Sequence, residues 1–274
     1  MIRLLWLVAL CAAALPAQER PRWPDGLLRV YEEFARQAST TLDRPSSRKG
    51  STAADDPAFP FLLVAFNSLR EEEYNKAIEN FLKAEAVAPQ RTDIRKNLAY
   101  TYFKVGLNEK ARLEFQRVTE LDSKDYQAAL ELAFLNYEVD NPGVRAEARR
   151  IFDRVRKEGD PVSRATAETA FQNIDAALVR QIAFYREAVR LDPGNLVAHF
   201  RLARNLEERD ETEAALAEYK AAESVAAPSI LNDQARVLIR LNRIAEAKEA
   251  LRRAAQSQDP FAAEAARDTL ATLP

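Results

Sequence analysis

At 274 residues, with 47% apolar and 30% charged side chains, the chain can build one repeat array or one or two ordinary domains. Forty Lys and Arg against 42 Asp and Glu leave a net charge of −2, with no basic surplus of the kind nucleic-acid binding needs. Only six glycines occur, and no run alternates β-branched and aromatic residues with polar ones, so sheet is excluded and helices joined by short turns are expected.

The first residues have a separate role. Arg3 precedes an unbroken apolar run over residues 4–17 that ends in Ala14-Leu15-Pro16-Ala17. The run is too short to cross a bilayer comfortably and has the parts of a secretory signal: a basic start, an apolar stretch and small residues for the peptidase. Cleavage is expected between Ala17 and Gln18, which makes the protein periplasmic or extracellular; an uncleaved segment would instead tether it to a membrane. Cys11 is the sole cysteine and is preceded by Leu10, not by a small residue, which argues against a lipid anchor. Removal of the signal leaves a chain without disulfides, thiolate catalysis or cysteine metal sites. Residues 18–57 comprise a helix from Pro24-Asp25-Gly26 to Thr41, with Leu27, Leu28, Val30, Tyr31 and Phe34 on one face, and a flexible linker containing Pro45-Ser46-Ser47 and Gly50-Ser51.

Six helical hairpins are expected over residues 58–260. The first pairs 61–69 with 74–87, the second 91–105 with 108–121, and the third 126–139 with 143–157. The fourth pairs 162–174 with 177–191, the fifth 196–207 with 212–225, and the sixth 229–241 with 244–256. An amphipathic helix over 261–274 caps the end. A ladder runs through their second helices: Ala77, Phe81, Ala84; Ala111, Phe115, Val118; Ala148, Phe152, Val155; Ala215, Tyr219, Ala222; and Ala247, Leu251, Ala254. Ladder positions 77 and 111 are 34 residues apart, and the later ones keep a similar spacing. In the fourth hairpin Gln181 stands where the alanine belongs. Antiparallel helices approach closely only where a side chain is small, so alanine marks each crossing and the aromatic one turn later fills the space that opens beyond it. Ala88-Pro89, Asp192-Pro193 and Ala227-Pro228 stop helices, and Gly106 and Asn242 sit at turns that tolerate left-handed backbone.

This repetition resembles the tetratricopeptide repeat (TPR) family. The second hairpin carries Leu98-Ala99, Tyr102, Gly106, Ala111 and Phe115, and the fifth carries Leu202-Ala203, Leu206, Ala215, Tyr219 and Ala222. The resemblance implies an all-α fold, a right-handed superhelical solenoid whose first helices line a concave groove for a protein or peptide segment. One branch of the family grips C-terminal carboxylates with lysines, asparagines and arginines. Lys96 is present here, but Tyr100 and Phe66 replace the expected asparagines, so that specificity is not assigned.

Helical spacing sets a second stripe on the first helices, and this stripe is the candidate partner site. It comprises Leu62, Phe66 and Leu69; Lys96, Tyr100, Phe103 and Lys104; Leu130, Phe134 and Tyr137; then Phe200 and Arg204 with Glu207 and Glu208; and Asn232, Arg236, Ile239 and Arg240. The groove is thus aromatic at its N-terminal end and charged at its C-terminal end. Two readings stand for its aromatics. They form a docking strip for an apolar or amphipathic segment, or they are covered by the chain itself, through inter-helix packing or the helix at 27–34.

No catalytic set emerges. His199 is the only histidine and reads as structural. The acidic runs Glu71-Glu72-Glu73 and Glu207-Glu208-Arg209-Asp210-Glu211 read as solvated turns, and the arginines of residues 145–156 read as a salt-bridged helix surface. No phosphate loop, paired-histidine metal motif or nucleophile elbow occurs, so neither cofactor nor metal is expected. The sequence therefore points to a non-catalytic interaction scaffold. Its rivals are an enzyme or accessory subunit acting on glycan or peptidoglycan, and a membrane-tethered spacer. The sequence does not set the oligomeric state.

Overall fold

The computed structural model describes residues 56–224 and 229–274. The expected signal, the N-terminal helix, nearly all of the linker and the stop at Ala227-Pro228 lie outside the described residues. Among those described, twelve helices and no strand occur: α1 Phe59–Arg70, α2 Tyr74–Val87, α3 Thr92–Lys104, α4 Asn108–Leu121, α5 Tyr126–Glu138, α6 Pro142–Glu158, α7 Pro161–Leu191, α8 Leu196–Glu208, α9 Thr212–Ala221, α10 Ile230–Arg240, α11 Ile244–Ala254 and α12 Pro260–Thr272. The fold is an all-α array of helical hairpins. It divides into two compact units: one runs to Val139 and adds Arg150–Asn173, the other joins Asp140–Arg149 to Ile174–Pro274.

In the first unit α1 packs on α2 and α3 on α4, while α2 meets α3 and α4 meets α5. In the second, α8 packs on α9, α10 on α11, and α12 closes against α11 and α10. Ladder residues Ala77, Ala111, Ala148, Ala215 and Ala247 are fully buried. So are the ladder rings Phe81, Phe152 and Tyr219, and Phe115 is nearly so. Helices α2 and α7 end just before Ala88-Pro89 and Asp192-Pro193, where proline removes the next amide donor.

The tight turns share one backbone solution. Glu72, Gly106, Asp210 and Asn242 all have positive φ, between 58° and 78°. In each turn the following amide donates back to a carbonyl five residues earlier: Glu73 to Ser68, Leu107 to Tyr102, Glu211 to Leu206 and Arg243 to Leu238. This is the Schellman closure, which satisfies the last carbonyls of the first helix. The α5–α6 turn is built differently. The Asn141 side chain accepts hydrogen bonds from the Gly143 and Val144 amides, with Pro142 as the first helical residue.

The fourth hairpin is corrected. Residues 161–191 form one uninterrupted 31-residue helix, with no turn at 175–176. Asp175 and Ala176 are neither glycine nor proline, and both continue the helical backbone. Asp175 is instead held by Arg149 at 2.8 Å and Arg209 at 3.4 Å. With no hairpin crossing at this point, no small ladder residue is needed. Gln181 is exposed, while Leu178 and Ile182 carry the buried face.

Candidate functional site

The aromatic stripe on the first helices is largely turned to packing. Phe66 meets Phe81 edge-on at 5.4 Å, Tyr100 meets Phe115 at 5.1 Å, Phe134 meets Phe152 at 5.0 Å and Phe200 meets Tyr219 at 6.1 Å. Each of these four rings therefore lies against the ladder ring of its own hairpin, the first three in the edge-on geometry that aromatic quadrupoles favour. Leu62, Leu130, Phe134 and Tyr137 are buried, and Phe66, Leu69, Phe103 and Phe200 are half-buried. The open aromatic end expected of the groove is corrected on this point: α5 is buried from Ala128 to Tyr137, so Phe134 and Tyr137 offer no surface to a partner.

The charged positions of the stripe are occupied as well. Lys96 pairs with Asp125 at 2.7 Å, and the Lys104 ammonium lies 5.1 Å from the Tyr74 ring centre. Arg204 binds Asp140 at 2.6 Å, and Arg240 binds Asp210. Arg236 donates to both carboxylate oxygens of Glu207, at 2.6 and 2.8 Å, and to Asp233 at 2.8 Å. The Tyr219 hydroxyl donates to the same Glu207 at 2.8 Å. Glu207 has no exposed surface, which corrects the solvated reading of the acidic run. Burial works against the charge on Arg236, but its hydrogen bonds to Glu207 prevail and raise its pKa. Burial, then the Glu207 charge, raises that of Tyr219.

Against Arg204 and Arg236 lies the start of α6. Asp140 takes Arg204, and a Cβ placed on Gly143 would meet Arg236 Cδ at 2.8 Å. The chain thus covers part of its own stripe here with residues 140–143, while the N-terminal helix considered from sequence lies outside the described residues. His199 is enclosed by acceptors on both ring nitrogens, the Glu218 carboxylate and the Pro193 carbonyl, which fits a structural tie between α8 and α9.

One acid went unnoticed in the sequence. Glu131 on α5 is buried, which pushes its carboxyl up to about 7, while a hydrogen bond from Tyr100 partly opposes the shift. Glu138 is pushed up to about 7 by burial too, opposed by Asn108. A folded pKa above the unfolded value of 4.5 means the folded chain keeps a proton the unfolded chain has lost. The stability tied to that proton is present below about pH 4.5 and lost as pH rises through about 7. Glu131→Gln keeps an acceptor for Tyr100 and cannot ionise. The variant is expected to gain about 1–3 kcal/mol over the parent at pH 8 and nothing near pH 4, read by urea denaturation at both pH values. An equal effect at both would remove the buried proton from the account.

A surface open to a ligand lies in the second unit. A cleft of about 550 Å³ is lined by Asp140, Pro142 and Arg145 from the start of α6, by Arg180, Gln181, Phe184 and Tyr185 from α7, and by Arg201, Arg204, Asn205 and Glu208 from α8. Its volume is that of pockets that enclose a small ligand or a few side chains. Four arginines face two carboxylates, and one of these, Asp140, is already engaged by Arg204. Arg180 and Arg201 are exposed and have no carboxylate partner among the described residues. Phe184 beside them is 67% exposed. Of the cleft residues, the sequence stripe had singled out Arg204 and Glu208; the α7 residues were missed because that helix was read as half of a hairpin.

The tetratricopeptide repeat family model matches residues 96–125 and 228–259, which are most of the second hairpin and the last one. These two stretches of the chain are similar to tetratricopeptide repeats. The first matched repeat holds the Tyr100–Phe115 pair and the second Arg236. Solved structures similar to the chain include the tetratricopeptide repeat domain of P58(IPK), 14% identical, covering 89% of this chain and 75% of that one with a TM-score of 0.45. MamA is 14% identical, with 72% and 89% covered and a TM-score of 0.33. A thermophilic tetratricopeptide repeat protein of Thermus thermophilus is 18% identical, with 78% and 99% covered and a TM-score of 0.32. No curated protein matches the chain. Among the described residues, no helix is long and apolar enough to cross a membrane, and no group of three or more His, Cys, Asp or Glu side chains is placed to hold a metal ion.

Proposed function

We propose that this protein is a non-catalytic interaction scaffold, exported by its N-terminal signal to the cell envelope or exterior, which holds a segment of a partner protein in the cleft between α7 and α8. Tetratricopeptide repeats support the scaffold reading, since stacked hairpins present side chains along a surface and enclose no reaction chamber. The observation that carries the choice of site is the cleft itself. It places an exposed Phe184 beside the exposed Arg180 and Arg201, and aromatics and arginines are the side chains that dominate binding energy at interfaces. A glycan-cleaving role finds no support in the cleft's carboxylates, because Asp140 is ion-paired to Arg204.

The test is a photocrosslinking benzoylphenylalanine in place of Phe184, expressed in the native cell, with the same group in place of the exposed Leu113 on α4 as control. A defined protein adduct is expected at position 184 and not at 113. It should be recovered from the envelope or the medium, on a chain whose N-terminus is Gln18. Absence of an adduct at 184, or equal adducts at both positions, removes the cleft as a docking site.

A further inference from the structure

Resting on that scaffold reading, we infer that the cleft selects a partner segment that is acidic and amphipathic, with carboxylates spaced to meet Arg180 and Arg201 and apolar side chains to cover Phe184, Leu191 and Val197.

The charge argument comes first. Most arginines of the second unit are held: Arg149 and Arg209 by Asp175, Arg186 by Glu211, Arg190 by Glu187, Arg204 by Asp140, Arg236 by Glu207 and Arg240 by Asp210. Arg180 and Arg201 are left over, and both line one cleft. A guanidinium offers a planar fork that matches a carboxylate with two parallel hydrogen bonds. Two such forks on facing helices suit two carboxylates of one chain better than a single small anion.

The apolar argument is independent. Phe184 and Leu191 stand seven residues apart, two turns along the same face of α7, and Val197 follows across the turn at the start of α8. They are 67%, 69% and 58% exposed, among the most exposed large apolar side chains described. Phe184 belongs to the cleft, and Leu191 and Val197 flank the turn that joins its two walls. The turn that joins the two walls of the basic cleft therefore carries an exposed apolar edge. A bare phosphate or a nucleic-acid backbone would use the arginines and leave that edge wet. A peptide with Glu or Asp followed by Leu or Phe uses both parts.

Fluorescence anisotropy on the mature chain tests this with a labelled twelve-residue peptide that alternates glutamate pairs with leucine and phenylalanine, and with the same peptide carrying Gln for every Glu. The acidic peptide is expected to bind at least tenfold tighter at low salt, and to weaken as salt rises. Arg180→Glu with Arg201→Glu is expected to lower its affinity at least tenfold, and Phe184→Ala at least threefold. All three residues are exposed, so an unchanged thermal unfolding profile is expected to accompany the losses. Inorganic phosphate serves as competitor. If millimolar phosphate displaces the acidic peptide completely and Phe184→Ala has no effect, the cleft is a simple anion site and the inference falls. Equal binding of the Glu and Gln peptides also overturns it. The crosslink at position 184 separates the two levels. An adduct that persists at full yield in the Arg180→Glu, Arg201→Glu chain leaves the scaffold standing and rejects the acidic partner, whereas no adduct in the parent chain rejects the scaffold reading itself.

Discussion

Arg236→Ala is expected to destabilise the protein by about 3–5 kcal/mol, seen as a fall in the midpoint of urea or thermal unfolding. The substitution strands Glu207, which has no exposed surface and receives two hydrogen bonds from this guanidinium. The Tyr219 hydroxyl remains as a donor and Arg240 stands 3.9 Å away, but one neutral hydrogen bond and a longer ion pair do not replace two charge-assisted hydrogen bonds. The double variant Arg236→Met, Glu207→Gln removes both charges and keeps most of the volume, so it is expected to recover much of the loss. If the double variant is no better than Arg236→Ala, the cost belongs to lost packing against the start of α6 and not to the ion pair.

Ala176→Pro is expected to cost about 3 kcal/mol or more, with a loss of helical signal in circular dichroism. Residue 176 lies mid-way along the uninterrupted helix α7, where proline removes an amide donor and crowds the preceding turn. Its side chain is exposed, so no core contact is at stake. The same substitution in a hairpin turn would be nearly neutral, because proline is at home in turns. Unchanged stability would mean that a turn does exist at 175–176 and that the hairpin read from the sequence is real.

The contrast between that helix and its neighbours shows what a sequence of this kind discloses. Ala111 and Phe115 are legible because small and aromatic residues recur wherever two helices cross, and the crossing repeats with the hairpin. Gly106 and Asn242 are legible as turns because their chemistry suits left-handed backbone. Glu72 and Asp210 occupy the same backbone position and are not legible, since acidic residues in a polar run look like any solvated surface. The long helix was hidden by the same periodicity that disclosed the rest: Gln181 reads as a worn ladder residue when the spacing is assumed to continue. Nothing at 175–176 separated the two readings, since Asp175 could close a turn as Asp210 does.

The stripe was placed on the correct helices, but its availability did not follow from spacing. A ring at position 66, 100 or 134 points toward its own hairpin partner as readily as toward a groove, and only the packing decides. The cleft depends on residues from three separate stretches: 140–145, 180–185 and 201–208. No period links them. Arg204 and Arg236 each stand eleven residues before a ladder alanine and each bind an acid upstream, Asp140 and Glu207. The acids lie 64 and 29 residues upstream, so no sequence period disclosed that these charges are paired.

Because α1 closes on α2, α3 on α4, α8 on α9 and α10 on α11, most of the packing joins segments adjacent in the chain. Little loop-closure entropy then stands between the random coil and a first native nucleus, and any of these four pairs can serve as that nucleus. Refolding on the microsecond-to-millisecond scale typical of low contact order follows.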